Sequence, residues 1–223
     1  MKLRKKTMNP TLHLITDPLC GWCFGAAPLL KASKKVQGLD IQLHFGGLFS
    51  APNNPVVDDA MIQFIMTHHE RITQLTGQTP GPALSDLLNS DDVVLDSTPP
   101  IHAILAAGSA GGDSLAYYQA IIHAHFMDGR RIADAATLQQ IAAECGIAAD
   151  AFQQAYDNLS TEQVAQHINA SRALLQRVGG QGFPTFVLEQ DGQMKMLNHQ
   201  SLYNNPTGWQ QALEKSLEPL VIH

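Results

Sequence analysis

The chain has 223 residues, with 14 Lys and Arg against 20 Asp and Glu, for a formal net charge of −6. That balance argues against phosphate-backbone binding as the main role. A hydrophobic content of 44% is enough for a real core, and the length fits one domain with an insertion or two small domains.

The opening MKLRKKT (1–7) is basic. No run of about 7–15 apolar residues follows it, so it does not read as a secretory signal. Nothing approaches the roughly 18 apolar residues of a membrane span. The expected compartment is the cytoplasm, where structural disulfides are rare and a C-x-x-C is more often catalytic or metal-binding.

TLHLIT (11–16) predicts a short strand. Cys20 to Val36 predicts a helix that Gly38 stops, with Lys31, Lys34 and Lys35 near its C-terminal end, where the macrodipole favours cations. IQLHF (41–45) alternates, with Ile41, Leu43 and Phe45 on one face and Gln42 and His44 on the other. Strand, helix and strand at this spacing form a βαβ unit. SAPNNPVV (50–57) is a loop. From Asp58 to about Val178 no strand pattern occurs, and helical pieces are separated at 77–82, 96–100, 108–113 and 127–131. Ser160 and Gln163 make a capping box, and Val164, Ile168, Leu175 and Val178 stripe the helix behind it. After GGQG (179–182), PTFVLE (184–189) and QMKML (193–197) flank Asp191-Gly192, which predicts an antiparallel hairpin. PTGWQQALEKSL (206–217) closes the chain as an amphipathic helix. The order is β-α-β, a large all-helical insertion, then β-β-α. This α/β chain divides into 8–57, an insertion at 58–178, and 179–219.

Two of the three cysteines stand in Cys20-Gly21-Trp22-Cys23. A structural zinc site needs four ligands. There is no second C-x-x-C, Cys145 stands alone, and neither His123 with His125 nor His68 with His69 shares a helix face. No metal is therefore expected. A structural staple across so short a ring would contribute only about 2 kcal/mol. The reactive reading has positive support, because the pair follows a strand and opens a helix, whose free N–H groups and partial positive charge stabilise a thiolate. Cys20, outermost, is the expected attacking thiol. Cys23, one turn further in and more buried, is placed to resolve a mixed disulfide.

The stretch DPLCGWC (17–23), Pro28 five residues after the second cysteine, GFPTF (182–186) and the helical insertion together resemble the DsbA-like thioredoxin-fold disulfide oxidoreductases, close to their FrnE-like branch. The resemblance implies a thioredoxin-like fold carrying that insertion, and a thiol-disulfide oxidoreductase of the protein disulfide isomerase type. It also implies that Phe183-Pro184 is a cis-proline bond facing the cysteines, leaving the residue-183 backbone free to pair with substrate. The plain alternative is a proline opening a strand. Gly21-Trp22 matches neither the Pro-His of DsbA nor the Gly-Pro of thioredoxin, so the direction stays open between oxidase, reductase and isomerase. Protein or small-molecule thiols and disulfides are the expected partners, with no nucleic acid or membrane. No metal or organic cofactor is needed, and glutathione is a candidate reductant. The alternative enzyme reading is a glutathione-dependent isomerase or transferase, of the kappa-class or 2-hydroxychromene-2-carboxylate isomerase type. Those enzymes carry a serine where this chain has Cys20.

Pro28 predicts a kink in the first helix, unless the helix simply starts later. Trp22 is either an exposed apolar contact for substrate or a residue packed on the helical block. Asp17 reads as a cap or turn residue, Cys145 as a buried apolar residue, and Arg130-Arg131 as a solvated loop.

Overall fold

The computed structural model describes residues 9–91 and 93–218; the basic stretch 1–7 and the outer limits at 8 and 219 lie outside them. The sheet has four strands in the order β2-β1-β3-β4. Strand β1 (Thr11–Thr16) lies parallel to β2 (Asp40–Phe45) and antiparallel to β3 (Thr185–Gln190). Strand β4 (Gln193–Met196) pairs with β3 across Asp191 and Gly192, both at positive φ as a tight hairpin turn requires. Central β1 is covered on both faces. Leu12, Leu14, Phe45 and Phe186 join the main core, whereas Ile15 and Val187 pack with Leu174 in a second cluster.

The single helix expected over 20–36 is instead two. Helix α1 (Gly21–Gly25) ends at Ala26, and α2 (Ala27–Ser33) begins with Pro28 in its first turn. Proline lacks the N–H that would continue the α1 ladder but fits the start of a helix. The result is a five-residue helix set apart from the α2 scaffold.

Between β2 and β3 the described residues hold only helices. These are α3 (Asp59–Thr76), α4 (Pro82–Leu88), α5 (Thr98–Ser109), α6 (Ser114–Phe126), α7 (Ala135–Glu144), α8 (Ala149–Asn158) and α9 (Thr161–Arg177). The Ser160–Gln163 capping box starts α9. Its buried stripe is Val164, Ile168, Ser171 and Leu174, while Leu175 and Val178 are half-buried against the second cluster. Helix α10 (Pro206–Leu217) packs on α2. Among the described residues no helix is long and apolar enough to cross a membrane.

Two surface expectations need correction. Cys145 is exposed rather than buried. It sits at the C-cap of α7, Gly146 reverses the chain at φ 75°, and Ile147 takes the buried position, its N–H donating to the Ala142 carbonyl at 3.0 Å. This is the usual apolar closure of a glycine-terminated helix. Arg130 and Arg131 are not a free solvated pair. Arg130 bonds both carboxylate oxygens of Glu144, and Arg131 donates to the Ser90 hydroxyl and the Asp91 carbonyl.

Candidate active site

β1 delivers the cysteines. Its last residue, Thr16, is fully buried, and the chain turns at once so that the Cys20 N–H donates to the Asp17 carbonyl at 3.2 Å. Cys20 is the N-cap of α1, and its sulfur accepts the Cys23 N–H at 3.4 Å. The Cys20 thiol also donates to the Phe183 carbonyl at 3.6 Å. The Phe183-Pro184 bond is cis and stands beside Cys20. Both cysteines are free thiols.

The expected contrast in exposure does not appear. Cys20 is 5% exposed and Cys23 4%. Their surroundings differ instead. Cys20 faces the backbone of Phe183, a residue that lines an open groove. Cys23 looks inward, where burial first and the neighbouring Cys20 second push its thiol well above the ordinary range. The nearby Thr16 hydroxyl and Asp17 backbone oppose that rise. Behind them the Thr16 hydroxyl is hydrogen-bonded to the Tyr118 hydroxyl of α6. A second opening of about 750 Å³ reaches Cys23, Thr16 and Tyr118 from the side of α2 and α6.

Asp17 is completely buried and does not cap α1. Its carboxylate accepts from the Leu19 N–H at 2.9 Å, the Leu48 N–H at 2.7 Å and the Ser97 hydroxyl at 2.8 Å. It thus ties the cysteine turn, the loop after β2 and the start of α5 together. Burial pushes its pKa up to about 6 against the pull of these donors.

Gly21 and Gly25 bring α3 onto α1. A Cβ on Gly21 would lie 2.9 Å from Ile72 and 3.0 Å from His69, and one on Gly25 would lie 2.8 Å from Ile72. A side chain at either position would require Ile72, His69 or Thr76 of α3 to shift. Trp22 is half-buried, stacks on Tyr203 beyond β4 with ring centroids 6.0 Å apart, and shares its groove with His68, Arg71 and Leu75 of α3. The Phe183 ring lies on bare backbone at Gly46, where a Cβ would come within 1.9 Å of it. The adjoining carbonyls of Gly46 and Gly47 accept from Arg172 of α9 at 2.7 and 2.6 Å.

Trp22, Phe183, Pro184 and Tyr203 border a groove of about 970 Å³ that continues toward α3 and β4. The arrangement therefore unites all six residues picked out from the sequence: Cys20, Gly21, Trp22, Cys23, Phe183 and Pro184. Sequence reading missed Thr16, Tyr118, Ser97, Arg172 and His69, and it missed that Asp17 is buried. Asp17 read as a cap or turn residue, and the others become neighbours only on folding. Among the described residues no three His, Cys, Asp or Glu side chains converge as a metal site.

The family profile of the DSBA-like thioredoxin domain matches residues 11–203. No curated protein sequence matches the chain. Among solved structures, the cytosolic disulfide reductase DsbM from Pseudomonas aeruginosa is 42% identical, covers 93% of this chain and 98% of its own, and superposes with a TM-score of 0.85. A second structure of that enzyme, with GSH, is 40% identical with a TM-score of 0.83 over the same shares of the two chains, 93% and 98%. A Nitrosomonas europaea chain assigned as a protein disulfide isomerase shares the fold at 20% identity, a TM-score of 0.75, and coverage of 94% of this chain and 98% of its own. With the C-x-x-C at the mouth of α1 and the Phe183-Pro184 loop beside it, the chain belongs to the DSBA-like thioredoxin domain family and is a thiol-disulfide oxidoreductase.

Proposed function

We propose that the protein is a cytosolic disulfide reductase that works with glutathione or a similar small thiol. The site observation that carries the reading is Cys20, an N-cap thiol held 3.6 Å from the carbonyl of the groove-lining Phe183, with the Cys23 N–H donating to its sulfur. The direction is supported by the 42% identity to a cytosolic disulfide reductase, and the small thiol by the structure of that reductase with GSH.

In this reading the Cys20 thiolate attacks one sulfur of a substrate disulfide. The substrate S–S bond breaks, the other substrate sulfur leaves as a thiolate, and a mixed disulfide forms on Cys20. Cys23 then gives up its proton to water or to the departed substrate thiolate and attacks the Cys20 sulfur. The second substrate thiolate leaves, and two electrons have passed from the dithiol to the substrate. Two small thiols restore Cys20 and Cys23 and leave as a disulfide. Phe183 offers its backbone to the substrate beside the attacked sulfur, and Trp22 forms an apolar wall. No resident metal or organic cofactor takes part.

The test is the reduction potential of the Cys20–Cys23 couple, equilibrated against glutathione buffers. A reductase lies at or below the cytosolic glutathione poise of about −220 to −260 mV. A value near the roughly −120 mV of DsbA would make the protein an oxidase and overturn the assignment.

A further inference from the structure

The groove beside Cys20 has an unusual charge pattern for this chain. The protein carries 20 acidic residues and a net charge of −6. Yet no Asp or Glu lines the groove among the described residues. Its α3 wall comes from one helix face. Phe64, His68, Arg71 and Leu75 follow one another at helical spacing and are all exposed, and the last three border the groove.

Arg71 makes no hydrogen bond or ion pair among the described residues. The other candidate cations are engaged or neutral. His68 bonds the Phe64 carbonyl at 2.9 Å and packs on the Phe64 ring. His199 is bonded to the Tyr203 hydroxyl, and burial lowers its pKa. Gln181, Asn198 and Gln200 add neutral hydrogen-bonding groups. A concave surface without acids and with one free guanidinium concentrates anions, and the planar fork of that guanidinium suits a carboxylate.

We infer that Arg71 is the carboxylate anchor of this groove, and that it selects small peptide thiols and disulfides bearing a free carboxylate over neutral ones. It acts by positioning, holding the carboxylate end on α3 so that the substrate sulfur is presented to Cys20. This rests on Cys20 being the attacking thiol in the function proposed above. The groove, at about 970 Å³, is at the upper end of the roughly 300–1,000 Å³ of small-molecule sites. An unpaired arginine from the helical insertion would thus give that insertion a direct part in substrate choice.

The experiment is the second-order oxidation of the fully reduced protein by glutathione disulfide and by neutral 2-hydroxyethyl disulfide, read as thiols remaining after an acid quench. The quantity is the ratio of the two rate constants in the native protein, Arg71→Gln and Arg71→Lys. The ratio should fall about fivefold to tenfold in Arg71→Gln, the range for losing a charge-assisted contact at a partly wet site. Arg71→Lys should lie between. Added salt should lower the native ratio and leave that of Arg71→Gln unmoved. An unchanged ratio in Arg71→Gln, or equal losses with both disulfides, would overturn the anchor while leaving the reductase standing. Oxidation of the native protein by neither disulfide would overturn both.

Discussion

The hydroxyls of Thr16 and Tyr118 are hydrogen-bonded to each other beside the buried Cys23 sulfur. One comes from the end of β1 and the other from the middle of α6, so the helical insertion reaches the resolving thiol directly. The Tyr118 hydroxyl is protonated at neutral pH as any tyrosine is, and burial raises its pKa further. Tyr118 can then donate to Thr16, and Thr16 to the thiolate that Cys23 becomes when it attacks. Thr16→Val should slow release of the second substrate thiolate by about tenfold or more, because a hydrogen bond to a charged group contributes roughly 1.5–3 kcal/mol. Tyr118→Phe should slow it less, and Thr16→Ser should restore it. Stopped-flow traces separate the two steps. Equal slowing of the first attack would mean that the pair serves only packing.

The two cysteines should behave differently although they are almost equally covered, at 5% and 4% exposed. Cys20 contacts Phe183, which lines the groove, and the Cys23 thiol is pushed up by its setting. Cys23→Ser should trap reductant-sensitive adducts on Cys20, visible on acid-quenched non-reducing gels. Cys20→Ser should form none. Adducts on Cys20→Ser alone would reverse the assignment, and adducts on neither would argue against protein disulfides as substrates.

What the sequence made legible was local. The TLHLIT strand, the Asp191-Gly192 turn, the Ser160 box and the C-x-x-C at a helix start depend on neighbours a few residues away. The Thr16–Tyr118 bond joins positions 102 apart, and Arg172 bonds Gly46 across 126. No spacing rule reveals such pairs. Cys145 was misjudged because a helix end looks apolar up to its last residue, whereas the burial passes to Ile147 beyond the glycine. The insertion was readable as helical, but its roles, closing over α1 through Gly21 and Gly25 and placing Arg71 at the groove, follow from tertiary packing alone.

Gly21 gives a case in which two known effects oppose each other. In a free helix, alanine is favoured over glycine by roughly 0.5–1 kcal/mol. Here the added Cβ would meet Ile72 at 2.9 Å and His69 at 3.0 Å, and Ile72 is only 1% exposed, with little room to yield. Overpacking costs about 1–3 kcal/mol, so it should win. Gly21→Ala should lower the Tm by a few degrees. Gly182→Ala, whose Cβ meets nothing within 4 Å, is the control. A stability equal to or above the native in Gly21→Ala would mean that α3 moves freely on α1.

Acid should destabilise the fold before its carboxylates reach their ordinary range. Burial lowers the pKa of His44, His69 and His125 from 6.5 to about 4. Between those values the unfolded chain binds protons that the native state refuses. The stability present above pH 6.5 is therefore lost as pH falls toward 4. Asp17 acts in the opposite sense, because its pKa is raised from 3.8 to about 6. The native state takes up that proton first, so protonating Asp17 restores some stability over an overlapping window. Those three histidines, joined by His167 and His199, whose pKa values burial also lowers, outweigh one raised group, and the net slope favours neutral pH. Urea midpoints at pH 7.5, 6.0 and 4.5 should fall in that order. His125, buried, is the clearest single contributor. His125→Leu should flatten the slope by up to one proton, about 1.4 kcal/mol per pH unit, whatever its effect at pH 7.5. Asp17→Asn should steepen it. A midpoint that holds steady or rises from pH 7.5 to 4.5 in the native protein would show that these histidines titrate alike in the folded and unfolded states.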